Sequence, residues 1–345
     1  AEIQHAGRAL KIDNIDRPVI GNEYTGILSE KFAKPLANRF TTLSVSAILS
    51  YANCPFSFFG ERCLRIKELE DVEESIQPNV AGTILHNVLD SFYSERMDAV
   101  FGEIREIDRR ISLLVENYDS IASRICVTSM NAESARSRII ELAEEAIEKH
   151  SDACPNRLAF ETMSVILKAG FDSYIDSVLD DTSFVPVDIE KEFHREIEGV
   201  KVRGKADRVD SNSSGQLRII DYKWGDSFTP AKIKSGEAMQ LPLYAILLGG
   251  DVVSLGYISD FKKQAPNFGS FVTRSEDCGG LYIGKEGWDD MIANTLETTK
   301  VIIRLILAGH FPPTVNPSGC RSQKYCPFVE ICSAEKVVSI PEVEE

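Results

Sequence analysis

The 345-residue sequence has none of the features of a membrane, secreted or repeat protein. No apolar run approaches the roughly 20 residues that a membrane-spanning helix needs. The opening AEIQHAGRALKID lacks a basic stretch followed by an apolar one, so it does not resemble a secretory signal. There is no internal repeat and no low-complexity tract, which excludes a solenoid. These absences predict a cytoplasmic protein with no membrane partner.

Positive charge is also scarce. The chain has 38 Lys and Arg against 53 Asp and Glu, which gives a net charge of −15. This balance argues against a protein that binds nucleic acid over a broad basic face. It does not exclude a nuclease with a narrow cleft, because the carboxylates of such a cleft serve to hold divalent cations.

The periodicity of apolar residues changes along the chain. Residues 1–40 are weakly periodic and interrupted by Pro and Gly, which predicts a loosely structured leader or linker before one domain at 41–345. Helical spacing over 80–100 continues into a predicted helical insertion at about 101–180. Short β-rich runs follow at 183–223, and then a helix, a strand and a helix. This order predicts an α/β core with a helical insertion.

Two of the β-rich runs carry residues that suit phosphodiester hydrolysis. Asp207 stands in RGKADRVD, and Asp221 and Lys223 stand in IIDYKWG. Residues two apart in a strand point to the same side, so Asp221 and Lys223 share a face. The SNSSG segment at 211–215 has the composition of a hairpin loop, which would pair the two strands and bring the three groups together. For the D-x-K triplet by itself, the alternative is a charged surface pair on a sheet edge.

His86 lies inside the predicted helix at 80–100. A lone histidine in such a position is more often a core residue than a ligand. A helix that precedes the sheet could, however, bring its imidazole toward the carboxylates, where it would be a candidate metal ligand.

Four segments in order, AGTILHNVLDSFY, RGKADRVD, IIDYKWG and QLPLYA, resemble the successive motifs of RecB-type nucleases of the PD-(D/E)XK superfamily. The resemblance covers nearly the whole chain beyond the leader. It implies a restriction-endonuclease-like α/β fold, in which a mixed central sheet is flanked by helices. It further implies a deoxyribonuclease that depends on Mg²⁺ or Mn²⁺. It also implies that Lys223 orients or activates the attacking water, and that metal is bound by His86, Asp207, Asp221 and the backbone carbonyl of Tyr222.

The same resemblance assigns a role in contacting the DNA backbone to Gln240 and Tyr244, which fall four residues apart on one helical face. Without the other motifs, an ordinary amphipathic helix would explain this pair. Glu190, in VDIEKEF, is a looser match to the acidic residue that precedes the Asp207 motif in the family.

Cysteines are clustered at the C-terminus. Three stand in GCRSQKYCPFVEIC, and Cys54 stands far upstream in SYANCPFSFFGERC. Four thiolates bind an iron–sulfur cluster or a structural zinc ion. One upstream cysteine with a C-terminal trio resembles the iron–sulfur (AddB-like) members of the nuclease family. This implies a 4Fe-4S cluster that closes the region at about 311–345 onto the domain and is held by Cys54, Cys320, Cys326 and Cys332.

The cysteine trio departs from the family pattern in its first gap. It runs C-x₅-C-x₅-C, whereas the family trio runs C-x₂-C-x₅-C, so Cys63 is an alternative fourth ligand to Cys320. Zinc and free thiols remain alternatives to the cluster. Ordinary buried thiols are predicted for Cys126, Cys154 and Cys278.

GGLYIGKE at 279–286 begins like a phosphate-binding loop, but Glu286 stands where a Ser or Thr would hold magnesium, so no ATP motor is predicted. The resemblance to helicase-linked nucleases implies exonuclease activity on single-stranded DNA or duplex ends. It also implies a helicase domain or subunit as partner in recombination and repair. The alternatives are a stand-alone nuclease like those of CRISPR adaptation, and a non-catalytic DNA-binding or scaffolding module.

Overall fold

The computed structural model describes residues 26–66, 78–154, 156–225, 229–263, 267–313, 326–328 and 331–332. These residues contain one mixed sheet of seven strands. In chain order they are β1 (Thr42–Ser44), β2 (Val185–Ile197), β3 (Val200–Ser211), β4 (Leu217–Tyr222), β5 (Val252–Ser259), β6 (Asn267–Thr273) and β7 (Leu281–Tyr282). Three strand pairs are parallel and three are antiparallel, which confirms the predicted mixed α/β sheet.

The long strand β3 has two different neighbours along one of its edges. β2 lies antiparallel along its other edge. On the shared edge, β1 pairs with residues 201–203 and β4 pairs with residues 208–211. Residues 204–207 therefore have no strand partner on that edge within the described chain. The β3–β4 connection is the predicted hairpin loop, and the Asn212 side chain accepts hydrogen bonds there from the backbone N–H groups of Ser214 and Gln216.

Helices cover both faces of the sheet. They are α1 (Glu30–Ala37), α2 (Val45–Asn53), α3 (Pro55–Phe58), α4 (Pro78–Phe101), α5 (Ile107–Glu116), α6 (Tyr118–Ile125), α7 (Ala132–Lys149), α8 (Arg157–Ser177), α9 (Pro230–Lys234), α10 (Gln240–Leu248) and α11 (Gly284–Leu307). The predicted insertion at 101–180 corresponds to α5 to α8. The Ser44 hydroxyl caps α2 by accepting a hydrogen bond from the N–H of Ala47.

Strand alternation separates two hydrophobic cores. Ile219 and Leu255 face a core built with α2, α10 and α11. Ile220 and Ile258 face a second core built with α4, α7 and α8. The β4 strand is thus buried on both faces, which holds its C-terminal end in a fixed position.

The later part of the predicted leader is ordered and packs on the end of the domain. Helix α1 is preceded by a bridge between Ile27 and His310. The N–H of Leu28 donates to the carbonyl of Gly309, and the N–H of Phe311 donates to the carbonyl of Gly26. Helix α1 has only eight residues and contains Pro35, which is why periodicity did not indicate it. No helix within the described ranges has the length and apolar composition to cross a bilayer.

Candidate active site

Three elements bring four of the predicted catalytic side chains together. His86 comes from α4, Asp207 from β3, and Asp221 from the end of β4, with Lys223 shortly after it. The Nδ1 atom of His86 lies 3.4 Å from Oδ1 of Asp207. The Nζ atom of Lys223 lies 2.6 Å from Oδ2 of Asp221. These contacts join residues up to 121 positions apart in sequence (207 minus 86).

Asp207 lies on β3 between the residues that pair with β1 and the residues that pair with β4. Its Oδ2 atom accepts a 2.7 Å hydrogen bond from the backbone N–H of Tyr222. The carboxylate therefore takes the place of a strand partner for that N–H, and the bond fixes Asp207 beside the end of β4. The Tyr222 side chain is buried in the core on the α4 side of the sheet.

Gln240, at the first turn of α10, bridges two of the predicted catalytic residues, Asp221 and Lys223. Its Nε2 atom donates to Oδ1 of Asp221 at 2.7 Å and to the hydroxyl of Tyr244 at 3.0 Å. Its Oε1 atom accepts from the Lys223 ammonium at 3.4 Å. Tyr244 is buried and packs edge-on against Phe193. The amide of Gln240 thus points at the carboxylate and the amine, and the predicted contact of Gln240 and Tyr244 with DNA stays a prediction.

Glu190, which the sequence matched only loosely, lies at the same place. Ligand atoms of Glu190, His86 and Asp207 lie within 4.8 Å of one another, and this is the one such group of three among the described residues. Glu190 is level with Asp207 in the β2–β3 ladder and has a φ of 52°. A non-glycine residue in this left-handed region is strained, and such strain is common at functional sites. Its carboxylate is paired with the Lys205 ammonium.

The pKa values of Asp221 and His86 are both raised, for different reasons. Asp221 is 3% exposed. Its burial, and then the charge of Asp207, raise its pKa to about 6, although Lys223 and His86 act in the opposite direction. Burial lowers the pKa of His86, but its hydrogen bond with Asp207 and the charges of Asp207 and Asp221 outweigh this, so the net shift is upward. The site therefore holds more negative charge than its own cations balance.

The donor set fits a hard divalent cation. The carboxylates are the oxygen ligands that Mg²⁺ and Mn²⁺ prefer, and the His86 imidazole adds a nitrogen ligand of the kind that transition metals accept. The buried Oδ2 atom of Asp221 contacts the Lys223 ammonium but accepts no well-directed hydrogen bond from the described residues. A cation at this point would satisfy that oxygen and would allow Asp207 and Asp221 to be ionised together.

Two of the cysteine-bearing segments meet beside α3. The Cys54 thiol caps α3 by accepting from the N–H of Ser57 at 3.5 Å. Phe56, two residues after Cys54, meets Phe328, two residues after Cys326, with ring centroids 6.3 Å apart. Cys320 lies outside the described residues, so the four-cysteine set stays a prediction.

The other thiols differ from one another in burial. Cys126 and Cys278 are buried, as predicted, whereas Cys154 is partly exposed and that prediction is wrong, because it follows a short surface helical turn at Ser151–Ala153. Cys63 is buried, and burial raises its pKa to about 11, although the charge of Arg39 opposes this. Such a thiol would need a metal to ionise at neutral pH.

The glycine-rich GGLYIGKE segment does not form a phosphate-binding loop. It contains the two-residue exposed strand β7, and α11 begins at Gly284 within it. A phosphate-binding loop follows a buried strand, whereas the strand in this segment is exposed.

Comparison of the sequence with known proteins identifies relatives of this chain. The profile of the PD-(D/E)XK nuclease superfamily matches residues 42–333. An ATP-dependent helicase/deoxyribonuclease subunit of Clostridium tetani is 27% identical over 300 residues, which cover 84% of this chain and 23% of that protein. The subunit of the same name from Clostridioides difficile is 28% identical over 243 residues, which cover 67% of this chain and 20% of that protein.

The chain thus spans about a fifth of the length of these relatives. The crystal structure of SSO0001 aligns with 72% of this chain and 96% of that chain at 15% sequence identity, with a TM-score of 0.27, which is too low to inform the fold. The superfamily profile, by contrast, covers most of the sequence and includes every residue of the cluster. This chain therefore belongs to the PD-(D/E)XK nuclease superfamily.

Proposed function

We propose that this chain is a metal-dependent DNA nuclease that hydrolyses phosphodiester bonds at the cluster of His86, Asp207, Asp221 and Lys223. The observation that carries the proposal is the convergence of these side chains from α4, β3 and β4. A surface Asp–Lys pair, the alternative for the D-x-K triplet, would be exposed, whereas Asp221 is 3% exposed.

Each residue has a distinct task in this proposal. The cation would be held by His86, Asp207, Asp221 and the carbonyl of Tyr222. Glu190 would assist them, because its ligand atom lies within 4.8 Å of those of His86 and Asp207. A bound Mg²⁺ or Mn²⁺ supplies charge neutralisation at the phosphate and lowers the pKa of water. Lys223, held by Asp221 and Gln240, presents an ammonium group that orients the attacking water or accompanies the negative charge that develops on the phosphate.

Cleavage of end-labelled DNA by the Asp221→Asn and Lys223→Met variants tests the proposal. Each variant should lose activity by on the order of 100-fold or more, because each removes one charged group from the reaction centre. Asp172→Asn is the matched control, since Asp172 pairs with Arg136 on the exposed side of α8. Circular dichroism should be the same for all four proteins. An Asp221→Asn protein that cuts as fast as the parent would place the active site elsewhere.

We further propose exonuclease action on single-stranded DNA. Support comes from the resemblance of the four motifs to those of helicase-linked nucleases, whose motor supplies unwound strands. The comparison of linear and circular single-stranded DNA of one sequence tests this mode. Digestion of the linear form only is expected, and equal digestion of the circle would indicate an endonuclease.

A helicase partner and a role in recombination and repair also belong to the proposal. The relatives are subunits of ATP-dependent helicase/deoxyribonucleases, which supports a motor domain or subunit acting beside this domain in the cytoplasm. Co-purification of the full-length protein with a motor subunit, and degradation of duplex DNA only with ATP, are the expected results. A full-length protein that degrades duplex ends alone and without ATP would instead favour a stand-alone nuclease.

A 4Fe-4S cluster held by Cys54, Cys320, Cys326 and Cys332 is proposed as the closure of the C-terminal region. The contact between Phe56 and Phe328 supports it, because it brings the segments that carry Cys54 and Cys326 side by side. Anaerobically purified protein should be brown and should contain about four irons per chain. A colourless protein with one zinc ion would refute the cluster.

A further inference from the structure

A buried hydrogen-bond network lies directly behind the candidate metal site, on the α4 side of the sheet. At its centre is the guanidinium of Arg208, which is 3% exposed. Its Nη2 atom donates to Oδ2 of Asp210 at 2.8 Å, and its Nε atom lies 2.8 Å from Oδ1 of the same carboxylate. Asp210 is fully buried, so this ion pair is held without access to solvent.

Arg208 is connected to all three elements that hold the candidate metal ligands, which are α4, β3 and β4. Arg208 itself follows Asp207 on β3. Its Nη1 atom donates to the hydroxyl of Tyr222, which follows Asp221 at the end of β4, at 3.3 Å. Its carbon centre lies 4.6 Å from the ring centroid of Tyr93, which stands on α4 two turns after His86.

Tyr222 links this buried network to the candidate metal ligands. Its backbone N–H donates to Asp207, and its ring meets the His86 imidazole edge-on with centroids 6.0 Å apart. One residue thus touches two of the candidate metal ligands and is covalently joined to a third, Asp221. Its hydroxyl is held 3.3 Å from a buried charge that cannot move without leaving Asp210 unpaired.

We infer that Arg208 and the Tyr222 hydroxyl are positioning residues that fix His86, Asp207 and Asp221 in one metal-binding arrangement. This inference rests on the proposed function. Partners behind the direct ligands set ligand orientation, and their loss typically weakens metal affinity by about 10- to 100-fold. Tyr222 and Asp221 are consecutive residues of β4 and point to opposite faces of the sheet. The Tyr222 hydroxyl and the Arg208 guanidinium that contacts it therefore lie in the core formed with α4, α7 and α8.

The Tyr222→Phe variant tests the inference without removing a charge. Substitution of Arg208 would leave Asp210 as an unpaired buried carboxylate and could unfold the protein. Tyr222→Phe keeps the ring against His86 and removes only the hydroxyl. The matched control is Tyr174→Phe, because the Tyr174 hydroxyl accepts from the same Nη1 atom at 3.2 Å but lies on α8, which carries none of the ligands.

Tyr174→Phe should lower the melting temperature at least as much as Tyr222→Phe, because the Tyr174 hydroxyl bonds to Arg208 and also, at 2.7 Å, to the hydroxyl of Tyr93. Equilibrium Mn²⁺ binding should separate them: Tyr222→Phe should weaken it by about 10-fold or more, and Tyr174→Phe by less than about threefold. In metal-free protein, the ring proton signals of His86, assigned with a His86→Gln variant, should shift in Tyr222→Phe and not in Tyr174→Phe.

Equal Mn²⁺ affinity for the parent and Tyr222→Phe would overturn the inference, and so would equal weakening in the two variants. Either result would leave the proposed nuclease function intact, provided that the parent binds Mn²⁺ and cuts DNA. A parent that binds no Mn²⁺ would overturn both together.

Discussion

A single methyl group at Gly60 tests how the C-terminal segment docks on the domain. Gly60 lies in a π-helical turn, Phe59–Cys63, directly after α3. A Cβ atom built there would lie 2.6 Å from Cζ of Phe328, which is 1% exposed. Ordinary carbon contacts begin near ~3.5 Å, so in Gly60→Ala the Phe328 ring must shift by roughly 1 Å or leave its pocket. Overpacking of this kind costs about 1–3 kcal/mol, and complete loss of the buried ring would cost a similar amount.

The expected change in melting temperature follows from the size of the protein. Unfolding entropy of about 2.1 cal/mol/K per residue gives roughly 0.7 kcal/mol/K for this chain, so Gly60→Ala should melt about 1.5–4 °C below the parent. Differential scanning calorimetry measures this shift. Limited proteolysis should also cut the C-terminal segment of the variant sooner, because Phe328 anchors it.

Gly82→Ala is the control for Gly60→Ala. A Cβ at Gly82 meets nothing within 4 Å, and the residue lies inside α4. Alanine there should stabilise the helix by up to about 1 kcal/mol. If Gly60→Ala melts at or above the temperature of Gly82→Ala, Phe328 does not pack on Gly60 and the proposed closure loses its structural support.

Three other substitutions have defined outcomes. Gln240→Ala removes the amide that contacts Asp221 and Lys223. It should reduce the cleavage rate by about 10- to 100-fold with little change in melting temperature. An unchanged rate would show that the amide does not position these groups. Ser44→Ala removes the cap of α2 and should cost about 1 kcal/mol in urea unfolding, and a loss below about 0.3 kcal/mol would contradict the cap. Cys326→Ser should abolish the visible absorbance of the proposed cluster and leave DNA cleavage at low temperature measurable, whereas unchanged absorbance would exclude Cys326 as a ligand.

The local parts of the site could be predicted from the sequence. Strand alternation placed Asp221 and Lys223 on one face, and their side chains lie 2.6 Å apart. The Ser/Asn/Gly loop predicted the β3–β4 hairpin, which brings Asp207 near Asp221. These relations join residues close together in sequence, where backbone geometry alone fixes which side chains meet.

The long-range parts could not be predicted from periodicity. The His86 contact with Asp207 depends on how α4 docks against the sheet across the whole helical insertion, and only the family resemblance indicated it. The position of Glu190 depends on the β2–β3 register and on its left-handed backbone. Strands β1 and β7 have three and two residues, which is too short for an alternating pattern to appear.

The energetics of the cluster connect folding to cation binding. Asp207 and Asp221 are 8% and 3% exposed, and two ionised carboxylates at such burial repel each other strongly. Lys223, Gln240 and the Tyr222 N–H compensate part of this, yet burial and the charge of Asp207 still raise the pKa of Asp221 to about 6. The folded protein therefore holds unbalanced negative charge at the point where β3 lacks a strand neighbour among the described residues. A divalent cation would neutralise that charge, so the irregular edge of β3 and the proposed affinity for metal would be two consequences of the same chain topology.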